Sequence, residues 1–221
     1  MPEFTLYTGY ANISTWSMRG WLAMKKSGLP FADIFIRYRL KDDKARLMTV
    51  SPTGRVPVLV HERKEGTIRV WDSIAIGEYL ADLVPERKLW PEDPAGRALA
   101  RSISAEMHSG FMPMRHALSM DLTGRHSQWA EDAPGAAEDI ARVKAIWREC
   151  REKYGANGGP FLFGGFTIAD AMYAPVAFRF RTYGVSLDSV SQAYADTIFA
   201  DPDVKEWEKK AEVQHVDPPT P

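Results

Sequence analysis

Strand-forming signals stop near residue 84 of this chain, and beyond a stretch rich in proline and charge every pattern is helical. Such a chain is expected to fold as a small sheet-bearing unit followed by a helical one. In the first part, Phe4 to Tyr7 reads as a strand and Thr15 to Lys26 as a helix closed by Gly28 and Pro30. Ile34 to Ile36 is a second strand and Lys41 to Met48 a short helix. Val56 to Val60 and Thr67 to Val70 flank a polar turn from His61 to Gly66, the pattern of a hairpin, and Ile74 to Leu83 is a helix. Residues 1–84 therefore predict an α/β domain with a partly parallel, partly antiparallel sheet, and 85–94 a linker. Helices are expected over Ala95 to Leu122, Ala136 to Tyr154, Ile168 to Tyr183, Asp188 to Phe199 and Pro202 to Val213, making 95–216 an all-α domain. The proline-rich residues 217–221 are expected to form a loose tail.

A length of 221 residues is enough for two cores. The 28 Lys+Arg and 29 Asp+Glu nearly cancel, which argues against general attraction to nucleic acid or an anionic membrane. No apolar run approaches the roughly 20 residues that span a bilayer. Met1-Pro2-Glu3-Phe4 lacks a basic start leading into an apolar stretch, so a cytoplasmic protein is expected. The single cysteine, Cys150, can close no internal disulfide, and no Cys/His spacing suits zinc, so no metal is expected.

Four segments carry candidate chemistry: Asn12-Ile13-Ser14-Thr15-Trp16-Ser17, Ser51-Pro52-Thr53-Gly54-Arg55-Val56-Pro57-Val58-Leu59, Trp71-Asp72-Ser73-Ile74-Ala75-Ile76, and Phe161 to Asp170 with Thr167-Ile168-Ala169-Asp170 at its end. Read by themselves, Ser14 and Ser73 are helix N-caps, Arg55 is a solvated arginine, and Thr167 with Asp170 forms a capping box that serves folding. Together, in this order and at these separations, they resemble the cytosolic glutathione transferases over nearly the whole chain, and the zeta-like pattern among serine-type members matches best. The resemblance implies a thioredoxin-like N-terminal domain ahead of the helical one.

It also implies roles. Ser14 would donate a hydrogen bond to the glutathione sulfur, with Tyr10 the second candidate and Ser17, one turn further, structural. Moving a thiol down from a pKa near ~8.5 by about two units takes about 2.7 kcal/mol. A helix N-terminus supplies roughly 0.3–2 kcal/mol and a hydrogen bond to a charged acceptor roughly 1.5–3, so the two suffice. Ser14 acts in this reading as a donor and never as a base. A cysteine nucleophile is disfavoured, because the first helix holds none and Cys150 lies deep in the second domain.

Most X-Pro bonds are trans, about 5–6% being cis in folded proteins, but the resemblance implies a cis Val56-Pro57 bond. That bend would leave Val56 free to pair with the glutathione backbone like an added strand. Arg55 could reach a carboxylate. Asp72 and Ser73, at a helix N-terminus suited to anions, would hold the γ-glutamyl group.

For the second substrate, His108, Phe111, Met112 and Arg115 are spaced to share one helix face, with Pro113 expected to kink the helix near Ser109 and open that face. Phe111 and the methionines also suit an ordinary core. The charged pair is expected to line the cleft and favour an electrophile carrying a carboxylate, with Trp16 and Trp129 as apolar wall. The resemblance thus implies a homodimeric, detoxifying glutathione transferase with glutathione as substrate or cofactor. A glutathione-dependent cis-trans isomerase is the close alternative, and a non-catalytic glutathione-binding protein the alternative of another class.

Overall fold

In the computed structural model, which describes residues 3–126, 129, 133–155 and 158–214, the first strand β1 (Phe4–Thr8) lies between β2 (Phe31–Phe35) and β3 (Val58–Arg63). β1 pairs parallel with β2 and antiparallel with β3, and β4 (Gly66–Val70) extends the sheet antiparallel to β3. The mixed sheet expected from the sequence is present, with shifted edges. The second strand begins at Phe31, before the apolar Ile34–Ile36 run, because its backbone pairs along the whole of β1. The third starts at Val58 and runs through His61 to Arg63, residues that read as turn, because cross-strand pairing with β4 outweighs their polarity.

Helix α1 (Thr15–Ser27) connects β1 to β2 in a parallel crossover, burying Met18, Trp21, Leu22 and Met24. Gly28 ends it at φ 72, a left-handed conformation suited to glycine, with its N–H bonded to the Lys25 carbonyl. Helix α2 (Lys41–Val50) precedes β3, and α3 (Ser73–Leu83) follows β4 and packs against α1. A 3-10 turn at Pro85–Arg87 leads to α4 (Pro94–Ser109), capped by Asp93 and started by Pro94.

The single helix expected over Ala95 to Leu122 is two helices. α4 stops at Ser109, Phe111 takes φ 59, and α5 (Met112–Ala117) begins with Pro113 in its first turn. Pro113 therefore opens a new helix and does not kink an old one. Asp139, on α6 (Ala136–Tyr154), accepts the Met114 N–H at 3.0 Å, and Phe111 is buried in the core; these tertiary contacts fix the break. α7 (Ile168–Thr182), α8 (Ser189–Ala200) and α9 (Pro202–Val213) complete the helical part. α7 is buried along most of its length and packs against α1 and α4, so the two halves share one apolar core. The capping box is present: Asp170 accepts from the Thr167 N–H at 2.8 Å and Oγ1 at 3.0 Å, and also from Leu162 N–H and the Tyr194 hydroxyl, both at 3.1 Å.

Among the described residues no helix is long and apolar enough to cross a membrane, and no group of three or more His, Cys, Asp or Glu could hold a metal ion. The tail expected at 217–221 lies outside the described residues.

Candidate active site

Ser14 is the N-cap of α1, as its sequence position suggested. Its Oγ accepts the Ser17 N–H at 3.3 Å and donates to Ser17 Oγ at 2.9 Å, while Ser17 Oγ accepts the Gly9 N–H at 2.9 Å. No acidic side chain occupies the first turn of α1, so the positive end of the helix is not neutralised by its own sequence. Ser14 lines a cavity of about 200 Å³ together with Trp16, Tyr38, Lys44, Arg55 and Val56. Tyr10 is fully buried, with its ring edge-on to Phe35 and Tyr38, and does not line that cavity.

The Val56-Pro57 bond is cis, as the family resemblance implied and the residue frequencies alone did not. Pairing between β1 and β3 begins at Val58, so Val56 stands outside the ladder and faces the cavity. Gly20 lets α1 come this close, since a Cβ there would meet Pro57 Cγ at 2.9 Å. A second cavity of about 280 Å³ shares Trp16, Arg55 and Val56 with the first and adds Pro57, Trp71, Asp72 and His108. The two are lobes of one cleft.

At the far end of this cleft the helix start differs from the sequence reading by one residue. Asp72, not Ser73, is the N-cap of α3, accepting the Ile74 N–H at 3.1 Å, and the Trp71-Asp72 bond is also cis. Ser73 is the first helical residue, and its buried Oγ has no partner among the described residues. Ser73 lines neither lobe, so it lies behind Asp72 and not on the cleft surface. Asp72 Oδ2 also meets His108 Nε2 at 3.0 Å. Burial, with the positive charges of Arg19 and Arg115, holds the His108 pKa below its ordinary value against the pull of Asp72.

The four residues expected on one helix face are separated by the break between α4 and α5. His108 lines the cleft from the last turn of α4. Phe111 turns into the core, and Met112 is exposed without lining either lobe. Trp129 packs against the core and lines neither lobe. Arg115 spends its guanidinium on the end of α4, donating to the Met107 carbonyl and, at 3.4 Å, to that of His108. It reaches the cleft through Trp16, whose ring lies 5.0 Å from the Arg115 guanidinium carbon.

Arg19 and Arg179 were not legible as site residues. Arg19 is fully buried, stacks 4.8 Å from the centre of the Trp16 ring, donates from Nε to the Met172 carbonyl, and has no partner for Nη1 among the described residues. Arg179 donates to Thr15 Oγ1 at 3.0 Å. Burial pushes the pKa of Arg19 well down, that of Arg115 down, and that of Arg179 down to about 10. Among the described residues none of the three is ion-paired to a carboxylate; Asp72 acts on Arg19 and Asp139 on Arg115 only through space, and burial remains the larger influence on both. The available signal was Arg19 itself, a charge on the apolar stripe of α1.

Comparisons with known proteins find relatives over both halves of the chain. The family model for the glutathione S-transferase N-terminal domain matches residues 13–83, and that for the C-terminal domain matches residues 120–209. The chain is 25% identical over 187 residues to a probable maleylacetoacetate isomerase of Caenorhabditis elegans, covering 82% of this chain and 81% of that one. It is 28% identical over 188 residues to the maleylacetoacetate isomerase of Pseudomonas aeruginosa, covering 83% and 84%. A glutathione transferase homolog from Burkholderia GL BGR1, solved with bound glutathione, superposes with a TM-score of 0.70 at 27% identity over 96% of this chain and 99% of that one.

Proposed function

We propose that this chain, which belongs to the glutathione S-transferase family, binds glutathione along the cleft from Ser14 to Asp72 and directs its sulfur, held as thiolate, at an electrophilic carbon. The observation that carries the reading is the Ser14 hydroxyl, which caps the un-neutralised start of α1 and lines the cleft opposite the cis Val56-Pro57 bend. The unpartnered Ser73 hydroxyl at the start of α3 supports the fit of a γ-glutamyl carboxylate, with Asp72 beside it for the amine. Val56, outside the ladder, pairs with the cysteinyl backbone, and Arg55 takes a carboxylate. Bound glutathione supplies a thiolate that adds to an activated double bond, whose π electron pair moves onto the activating group. Protonation there leaves a conjugate, whereas rotation about the former double bond and return of the pair expel the thiolate and give the trans product. With an alkylating electrophile the thiolate displaces the leaving group.

Ser14 turns its O–H from Ser17 toward the sulfur and stabilises the anion as a donor, while the thiol proton passes to solvent. The buried cations behind Trp16 favour a co-substrate bearing a carboxylate. The isomerase reading is supported by the names of the relatives, since both curated proteins compared above are maleylacetoacetate isomerases, one of them designated probable. A homodimer working in the cytoplasm, with a detoxifying role, completes the proposal.

The test is a glutathione titration followed by thiolate absorbance near neutral pH, then product analysis with activated cis-alkenes and with alkylating electrophiles. Thiolate with a stable conjugate supports the transferase, and thiolate with a glutathione-free trans product supports the isomerase. Binding without thiolate would sink both in favour of a passive binding protein, and no binding at millimolar glutathione would sink all three.

A further inference from the structure

The turn that carries Ser14 is gripped at its tip by the helical half of the chain. Ile13 N–H and Ser14 N–H both bond to the Tyr10 carbonyl, at 3.2 and 2.8 Å, so residues 10–14 form one closed turn. At its tip, Ala11 N–H donates to Gln214 Oε1 at 2.9 Å, and the Ala11 carbonyl accepts from Trp207 Nε1 at 3.1 Å. The next residue is held from another side. The Asn12 carbonyl accepts the Leu122 N–H at 3.1 Å, and its Nδ2 donates to Asp121 Oδ1 at 3.0 Å. Asn12 Oδ1 takes the Thr123 N–H at 2.9 Å and the Thr123 hydroxyl at 3.1 Å. The Asn12 amide thus uses its donor and its acceptor on the segment that follows α5, and it does not line the cleft.

We infer that Asn12, with Gln214 as a second anchor, is a positioning residue for the Ser14 hydroxyl. The inference rests on the reading of Ser14 given above. A hydroxyl at the end of a closed turn moves with the tip of that turn, and a displacement of about 1 Å at a reacting group can cost about 10²-fold in rate. The glutathione contacts assigned to Val56, Asp72 and Ser73 lie on other elements and are untouched by the tip. Releasing the tip therefore affects the thiolate far more than it affects binding.

The experiment uses the full chain and the variants Asn12→Ala, Gln214→Leu, Gln214→Glu and Ser14→Ala. For each, the pKa of bound glutathione is read from thiolate absorbance against pH, together with kcat, KM and the thermal midpoint. The expected result is a raised thiol pKa and about a tenfold fall in kcat for Asn12→Ala and Gln214→Leu, with KM for glutathione within about twofold of the parent. Gln214→Glu keeps an oxygen for the Ala11 N–H and should restore both values. A lower thermal midpoint with an unchanged thiol pKa in the Asn12 and Gln214 variants would overturn the inference, as would failure of Gln214→Glu to restore Gln214→Leu. If Asn12→Ala does not fold, the Gln214 pair decides. An unchanged pKa in Ser14→Ala would instead overturn the reading of Ser14, so the two failures are distinguishable.

Discussion

Asp72 Oδ2 and His108 Nε2 meet at 3.0 Å, joining the cap of α3 in the sheet-bearing half to the last turn of α4 in the helical half. His108 feels the carboxylate of Asp72 and the positive charges of Arg19 and Arg115, with Trp16 edge-on at 5.1 Å. Its pKa is lowered chiefly by burial, so the folded chain takes up this proton less readily than the unfolded chain. His108 then contributes no penalty above its ordinary value of 6.5, and stability is lost as pH falls below that value toward the lowered folded pKa. Denaturant midpoints at pH 7.5 and 5.5 should differ less in His108→Gln than in the parent.

Ser14→Ala removes the hydroxyl assigned to the sulfur. At about 1.5–3 kcal/mol for a hydrogen bond to a charged acceptor, the pKa of bound glutathione should rise by about 1–2 units. A titration of thiolate absorbance reads this directly, and an unchanged curve would remove Ser14 from the mechanism.

The Ser73 prediction concerns binding and leaves thiol chemistry aside. Ser73→Ala deletes the buried Oγ that has no protein partner among the described residues, so stability should hold or rise slightly. KM for glutathione should increase by about tenfold or more, with kcat largely kept. Calorimetric titration checks the affinity, and thermal melting checks the stability.

Asp170 makes four hydrogen bonds in the core, to Leu162, Thr167 twice, and Tyr194. Asp170→Ala strands buried donors at the start of α7 and should cost about 3 kcal/mol or more. Chemical denaturation measures the loss; activity per folded molecule should be unaffected, since Asp170 lines neither lobe of the cleft.

Cys150 is buried and its pKa is pushed up to about 12, mainly by burial. The native protein should resist alkylation at pH 8 and react fully once unfolded. Rapid native labelling would show that α6 opens far more readily than its packing implies.

Much of the fold was readable because its determinants lie within a few residues of each other. Thr167 and Asp170 mark the start of α7, Gly28 the end of α1, and Pro202 the start of α9. The strand edges were less readable, since β2 and β3 are lengthened by pairing with neighbours that no local pattern reveals. In the site, Ser14, Arg55, Val56, Pro57 and Asp72 were named from the sequence and meet in one cleft. The shared face drawn through His108, Phe111, Met112 and Arg115 failed, because it assumed a helix that Gly110 and Phe111 interrupt.

From the sequence alone came the two-part architecture, the caps of α1 and α7, and the hydroxyl poised at the start of α1, all set by short-range hydrogen bonding and by apolar spacing. Only the tertiary structure decided that Asp139 would cap α5, that Arg19 would be buried beneath Trp16, and that Asn12 would reach Asp121 and Thr123. Those contacts join residues far apart in the chain, and a buried charge or amide is settled only once the partner that shields or satisfies it has arrived.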